Sequence, residues 1–187
     1  MNFGDILTVT LTLFAVIDIL GSIPIIISLR SKMGHIQSEK ATLVSGLIMI
    51  LFLFVGERLL NLIGIDIASF ALAGAFVIFL LALEMILNIE LFKSDEGDTS
   101  GTIVPIAFPI IAGSGTLTTL ISLRSTFSVN EIIVGVVLNL FFVYFILKST
   151  GKIEQLLGKG GINVLRRIFG IILLAIAIKL TKMHLIF

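Results

Sequence analysis

Long apolar runs, separated by short polar stretches, divide this chain into six segments. They cover approximately residues 6–29, 41–63, 67–88, 103–123, 131–147 and 166–183. Each is close to the roughly 20 apolar residues a helix needs to cross a bilayer. Within each run the apolar residues are continuous and do not alternate, so membrane helices are expected, not barrel strands. The second span carries Glu57 and Arg58 near its end. The polar stretch 90–102, rich in Asp, Glu, Gly and Ser, reads as a solvated linker; it lacks the ligand spacing of an EF-hand loop. It divides one membrane domain, residues 1–187, into halves of three spans each, 1–89 and 103–187.

Composition supports the membrane reading. Of the 187 residues, 57% are hydrophobic and only 13% charged, against about a quarter charged in soluble domains. Mean hydropathy is +1.19. A net charge of +1 gives no reason to expect a nucleic-acid partner. The absence of cysteine excludes thiol chemistry and cysteine-ligated metals. His35 and His184 lie far apart in the chain, so no histidine metal site and no cofactor are expected. The first residues have no basic region and no small-residue cleavage site, so the first apolar segment is expected to remain as a span. Lysine and arginine are biased to the loops after spans 1, 3 and 5, nine against four on the opposite side. That side is expected to be cytoplasmic, with both termini outside.

The halves repeat weakly. Gly21 to Ser31 lies over Gly115 to Ser125, and the run Ile-Ser-Leu-Arg-Ser occurs in both. Span 3 lies more faintly over span 6, with Glu84 over Lys179. Three spans per half force the second half to insert upside down, the inverted repeat of many secondary transporters. Such proteins place the solute site where the halves meet, beside helices interrupted by glycine and proline. The expected fold is therefore all-α and integral to the membrane: six transmembrane helices in two inverted three-helix repeats, with spans 1 and 4 broken near the midplane.

Span 1 contains Asp18, Gly21, Ser22 and Pro24. Proline removes a donor and clashes with the preceding turn, and glycine lowers the cost of unwinding. A helix break is expected at Gly21 to Pro24. A carboxylate in mid-span usually faces a solute path, so Asp18 is a candidate for binding an ammonium group, Na⁺ or a proton. The competing reading makes it a cap for backbone freed by the break. Span 4 carries Pro105, Pro109, Gly113, Ser114, Gly115, Thr116, Thr118 and Thr119. Its backbone groups and hydroxyls suit a small zwitterion or ion, although small residues and hydroxyls also serve close helix packing. Glu84 and Lys179 are further membrane charges, placed roughly 15 Å apart in depth at 1.5 Å per residue. Glu84 is kept as a second ion-coupling candidate, and Lys179 is expected to snorkel outward. Gly158 to Gly161 lacks the rest of a phosphate loop and is expected to be a turn between spans 5 and 6. Gly74 and Gly170 are expected to serve close packing, and such glycine faces would allow a homo-oligomer.

At these motifs the sequence resembles the MarC family of bacterial and archaeal inner-membrane proteins. Span 4 matches the family pattern from Pro105 to Thr119 with one departure, Ser114 in place of proline. Span 1 keeps Asp18, Gly21 and Pro24 but has Ile19 and Ser22 where the family has proline and asparagine. With one proline missing from each motif, milder breaks are expected. The resemblance implies a fold akin to the LysE-type transporters. It also implies carriage of small neutral amino acids such as glycine or alanine across a prokaryotic inner membrane. The site would be built from Asp18, Gly21, Ser22 and Pro24 on one wall and Pro109 and Gly113 to Thr118 on the other. Rival readings are a passive channel and a helper subunit; no His/Asp cluster suits a hydrolase.

Overall fold

A computed structural model describes residues 2–33, 36–89 and 106–185. The linker 90–102, Pro105 and His35 lie outside the described residues. The described chain is helical: α1 (Phe3–Ile17), α2 (Ile19–Met33), α3 (Ser38–Ile63), α4 (Ile67–Leu87), a π-helical turn (Ile106–Ile111), α5 (Ser114–Leu123) and α6 (Val129–Leu185). By length and composition, four helical stretches can cross a bilayer among the described residues: Phe3–Ile23, Ser38–Ile63, Ile67–Leu87 and Val129–Ile153.

Local signals set most boundaries. Asn2 caps α1, its Oδ1 accepting the Gly4 N–H at 3.1 Å. Gly64 ends α3 at φ 77°, and the chain reverses with the Ile65 N–H bonded to the Leu60 carbonyl at 2.9 Å. Asp66 caps α4, accepting from the Ser69 N–H at 2.8 Å and the Ser69 hydroxyl at 2.6 Å. Those bonds, the hydroxyl foremost, hold the Asp66 carboxyl below its usual range. A carboxyl depressed on folding stabilises above its unfolded pKa and loses that contribution as pH falls through the folded value. Asp66→Ala is therefore expected to lower the melting temperature at pH 7. The gap from the wild type should close on acidification, which a thermal melt in detergent across pH will check.

The turn expected at Gly158 to Gly161 narrows to one residue. Gly158, at φ 62° and ψ 172°, breaks α6, and helix continues on both sides. The stretch 148–165, expected to be loop in large part, is thus mostly helical. Glycine alone reaches that backbone region at low cost, so one residue suffices to turn the chain.

Buried apolar residues of α1 (Val9, Leu13, Ile17), α3 (Met49, Leu53), α5 (Leu117, Leu120) and α6 (Ile132, Val136, Val143) form one core. Large apolar side chains such as Leu43, Phe76, Phe141 and Phe145 point outward, as a lipid-facing surface requires. Buried Asn139 crosslinks two helices, its amide donating to the Thr10 carbonyl of α1 at 3.1 Å and the Gly135 carbonyl of α6 at 2.8 Å.

The shift in numbering that lays Gly21 on Gly115 matches further features. It lays Gly64 on Gly158, both at positive φ. It lays Ser45, bonded to the Ala41 carbonyl at 2.7 Å, on Asn139, bonded to the Gly135 carbonyl. It lays Arg30, whose guanidinium rests against Gly151 of α6, on Arg124, whose Nη1 donates to the Leu53 and Phe54 carbonyls of α3 at 2.9 and 3.2 Å. Gly46 and Leu140, each the counterpart of the other, touch directly.

Candidate functional site

The break in span 1 falls at Asp18, not at Gly21 to Pro24. Asp18 adopts the left-handed conformation, φ 43° and ψ 48°, and its N–H still bonds the Phe14 carbonyl at 3.1 Å to close α1. Helix resumes at the next residue. Asp18 Oδ1 accepts the Gly21 N–H at 3.2 Å, and its carbonyl accepts both the N–H and the hydroxyl of Ser22 at 3.0 Å. One residue thus ends α1 and caps α2. The carboxylate lies where a Gly21 Cβ would be, so Gly21 supplies space there instead of flexibility. Pro24 sits inside α2, where it costs one helical bond. The break is mild in extent, a single residue, but complete in geometry. A short polar side chain able to cap the following turn at once lets aspartate take this conformation.

The break in the fourth apolar segment is wider. Phe108 is extended, at φ −138° and ψ 127°, and the Phe108–Pro109 peptide is cis. The Ala112 N–H bonds the Ala107 carbonyl at 2.9 Å, closing a π-type turn. Helix α5 then begins at Ser114, with Gly113 ahead of it in extended conformation and no side chain capping its start. Any Cβ at Gly113 would collide with the Pro109 carbonyl. The first turn of α5 therefore presents N–H groups with no helical carbonyl before them. The first helical bond, from the Leu117 N–H to the Gly113 carbonyl at 2.9 Å, leaves those of residues 114–116 aimed out of the helix end. The hydroxyls are largely committed to backbone: Ser114 to Ala71 of α4 at 3.4 Å, Thr116 to Ile111 at 3.0 Å, Thr118 and Thr119 to Gly115 at 3.1 and 2.7 Å. Thr116 is buried, so Thr116→Val strips the Ile111 carbonyl of that donor. A loss of about 1–2 kcal/mol is expected, measurable as a lower denaturation midpoint.

Packing brings the two breaks together. A Cβ on Gly115 would sit 3.6 Å from Val16 Cγ1, so the start of α5 lies against the last turn of α1, two residues before Asp18. On the other side Ser114 seats against Gly74 of α4. The uncapped N-terminus of α5 thus packs against the helical turn that Asp18 ends. Asp18 offers a carboxylate whose Oδ2 has no hydrogen-bond partner among the described residues; the start of α5 offers positive helix-dipole charge. Ala112, Gly113, Ser114, Thr116 and Ser22 are buried, while Asp18 and Gly115 are half-buried.

The remaining candidates separate. Glu84, half-buried, lies roughly 15 Å along α4 from Gly74, at 1.5 Å per residue, and so is not gathered to the junction. Lys179 is exposed, as expected of a snorkelling side chain. Gly74 and Gly170 do serve close packing, against Ser114 and against Met85 and Ile86. No group of three or more His, Asp or Glu is placed to hold a metal among the described residues. Two cavities lie elsewhere: one of about 280 Å³ lined by Met85, Asn88, Asn163, Val164 and Arg167, and one of about 360 Å³ beside Arg124. Sequence reasoning missed Asn139 and Arg124. Asn139 is a lone amide in an apolar run, a usable signal, but Arg124 read as a boundary charge.

Comparison with known proteins came to the same family as the motifs. Residues 3–185 match the family described as MarC family integral membrane protein. The chain is 29% identical to the UPF0056 inner membrane protein YhgN of Escherichia coli K12, over 93% of this chain and 92% of that one. It is 31% identical to a UPF0056 membrane protein of Buchnera aphidicola subsp. Baizongia pistaciae, over 95% and 91%. It is 30% identical to a UPF0056 membrane protein of Pyrococcus abyssi, over 90% and 88%. No solved structure matches.

Proposed function

We propose that this chain, which belongs to the MarC family of integral membrane proteins, is a secondary transporter of small neutral amino acids. It is not an enzyme in this reading, and it works by alternating access between two inverted three-span repeats. The observation that carries the reading is that the uncapped start of α5 packs against the last turn of α1, which the break at Asp18 ends. A zwitterion needs an acceptor for its ammonium and donors for its carboxylate. Asp18 Oδ2 supplies the first, and the α5 N–H groups supply the second. Ser22, Gly113, Ser114 and Thr116 would shape the space, and Asp18 would also carry the coupling cation.

The six-span, inverted architecture draws support from the matched positions in the two halves. Arg30 and Arg124 each reach into the other half, and Gly46 touches its own counterpart Leu140, the contact a two-fold axis produces. In this reading α5 with the turn before it is the fourth span, and α6 past Gly158 is the sixth. The protein would lie in a prokaryotic inner membrane with both termini outside, following the lysine and arginine bias. The burial of Ala112, Ser114 and Thr116 favours a carrier over an open pore.

Counterflow tests this. Proteoliposomes loaded with unlabelled glycine or alanine should take up the labelled amino acid transiently above equilibrium. Saturable flux without trans-acceleration would make the protein a facilitator, and no flux of any amino acid would end the transport reading.

A further inference from the structure

The cavity at the far end of α5 has no part in the site just described. It measures about 360 Å³ and is lined by Phe54, Glu57, Arg58, Ile121, Arg124 and Ser125. Arg124 is anchored: its Nη1 spends its hydrogens on the Leu53 and Phe54 carbonyls, which fixes the plane of the guanidinium. A guanidinium has five N–H donors, so three remain for another acceptor. Arg58 and Glu57 stand beside it on α3, exposed, and make no hydrogen bond or ion pair among the described residues. Two cations and one anion thus converge on one recess, with an aromatic and an aliphatic wall. Helix α5 connects this recess to the junction: it begins at Ser114 beside Gly74 and ends at Leu123, roughly 15 Å away at 1.5 Å per residue.

We propose that this cavity is an antechamber that captures a carboxylate-bearing zwitterion before it reaches the junction. Arg58 and Arg124 take the carboxylate, for which a guanidinium fork is the natural partner, and Glu57 takes the ammonium. A recess of net positive lining also concentrates such solutes at its mouth. The cavity is large enough for a small amino acid, and its lining comes from the C-terminal part of α3 and the end of α5, so capture acts from the membrane face at that end. The proposal rests on the transport reading, and the experiment below separates the two.

Labelled alanine counterflow is measured on wild type, Arg58→Gln, Arg58→Lys and Glu57→Gln, in vesicles sorted by orientation, with glycinamide as a competitor lacking the carboxylate. Arg58→Gln should raise KM about tenfold, the factor expected for one lost charge-assisted hydrogen bond. The change should exceed that in kcat and appear from one face alone. Arg58→Lys should recover part of it, and glycinamide should compete poorly with wild type. An unchanged KM in Arg58→Gln, with wild type active, overturns the antechamber and leaves the transport reading standing. A KM raised equally from both faces also overturns it, since that is the signature of a residue acting at the junction. So does a variant whose only change is weaker thermal stabilisation by anionic phospholipid, since the recess is then a headgroup site. Absence of flux in wild type overturns both readings.

Discussion

Gly74→Ala is expected to destabilise the protein by about 1–3 kcal/mol, the usual cost of forcing a methyl into a filled space. The added Cβ would collide with the Cβ and Oγ of Ser114, at the first residue of α5. Neither partner can yield easily. Gly74 is buried in the middle of α4, and Ser114 is pinned by the Ala71 carbonyl and by the break behind it. Displacing Ser114 moves the N-terminus of α5 away from Val16, so under the proposed function transport should fall further than stability alone implies. The check is a double-mutant cycle read by thermal melting in detergent. Ser114→Gly removes both clashing atoms and should restore most of the loss in the Gly74→Ala background. Simple addition of the two single effects would show that α4 and α5 do not meet as described.

Asp18→Ala and Asp18→Asn should separate structure from charge. Alanine removes the cap of α2 and leaves the Gly21 N–H without its acceptor, at a cost of about 0.5–2 kcal/mol. Alanine also tolerates the left-handed conformation poorly, which adds to the loss. Asparagine keeps both the conformation and an oxygen for the Gly21 N–H, so its melting temperature should stay near wild type. Its amide lacks the charge, so uptake should lose its dependence on pH or Na⁺, or fail altogether. Asparagine behaving as wild type in coupled uptake would reduce Asp18 to a cap. Asparagine as unstable as alanine would show that the carboxylate charge itself holds the junction.

These expectations grew from a chain whose architecture was partly legible beforehand. The long apolar runs announced membrane helices, because a bilayer accepts little else. Proline and glycine in spans 1 and 4 announced the breaks, and the span 4 motif carried the family. Asp18 attracted attention because a carboxylate in a span is costly. A mid-span carboxylate also suits a cap for freed backbone, and the structure shows that role in its bond to the Gly21 N–H. The exact break point was misplaced by the emphasis on Pro24: a proline announces a lost donor, but the donor can be forgone inside a helix when the chain has already broken upstream. The stretch 148–165 departs from expectation for a related reason. Polar and glycine residues there suggested a loop, whereas helix propensity carried the backbone through to Gly158.

What the amino-acid sequence determined by itself was therefore the local part: which segments prefer an apolar solvent, where the backbone cannot stay regular, and which family the pattern belongs to. Those properties are set by neighbouring residues and the solvent. Only the tertiary structure decided which distant groups meet. Nothing near Ser114 in sequence specifies Gly74, nothing near Arg124 specifies the Leu53 carbonyl, and nothing near Gly115 specifies Val16. Such contacts arise from helices docking at van der Waals distance across many tens of residues, where one missing Cβ determines how closely two backbones approach. The candidate site depends on the first and last of these contacts, and so its residues could be nominated one by one from the sequence but assembled only in three dimensions.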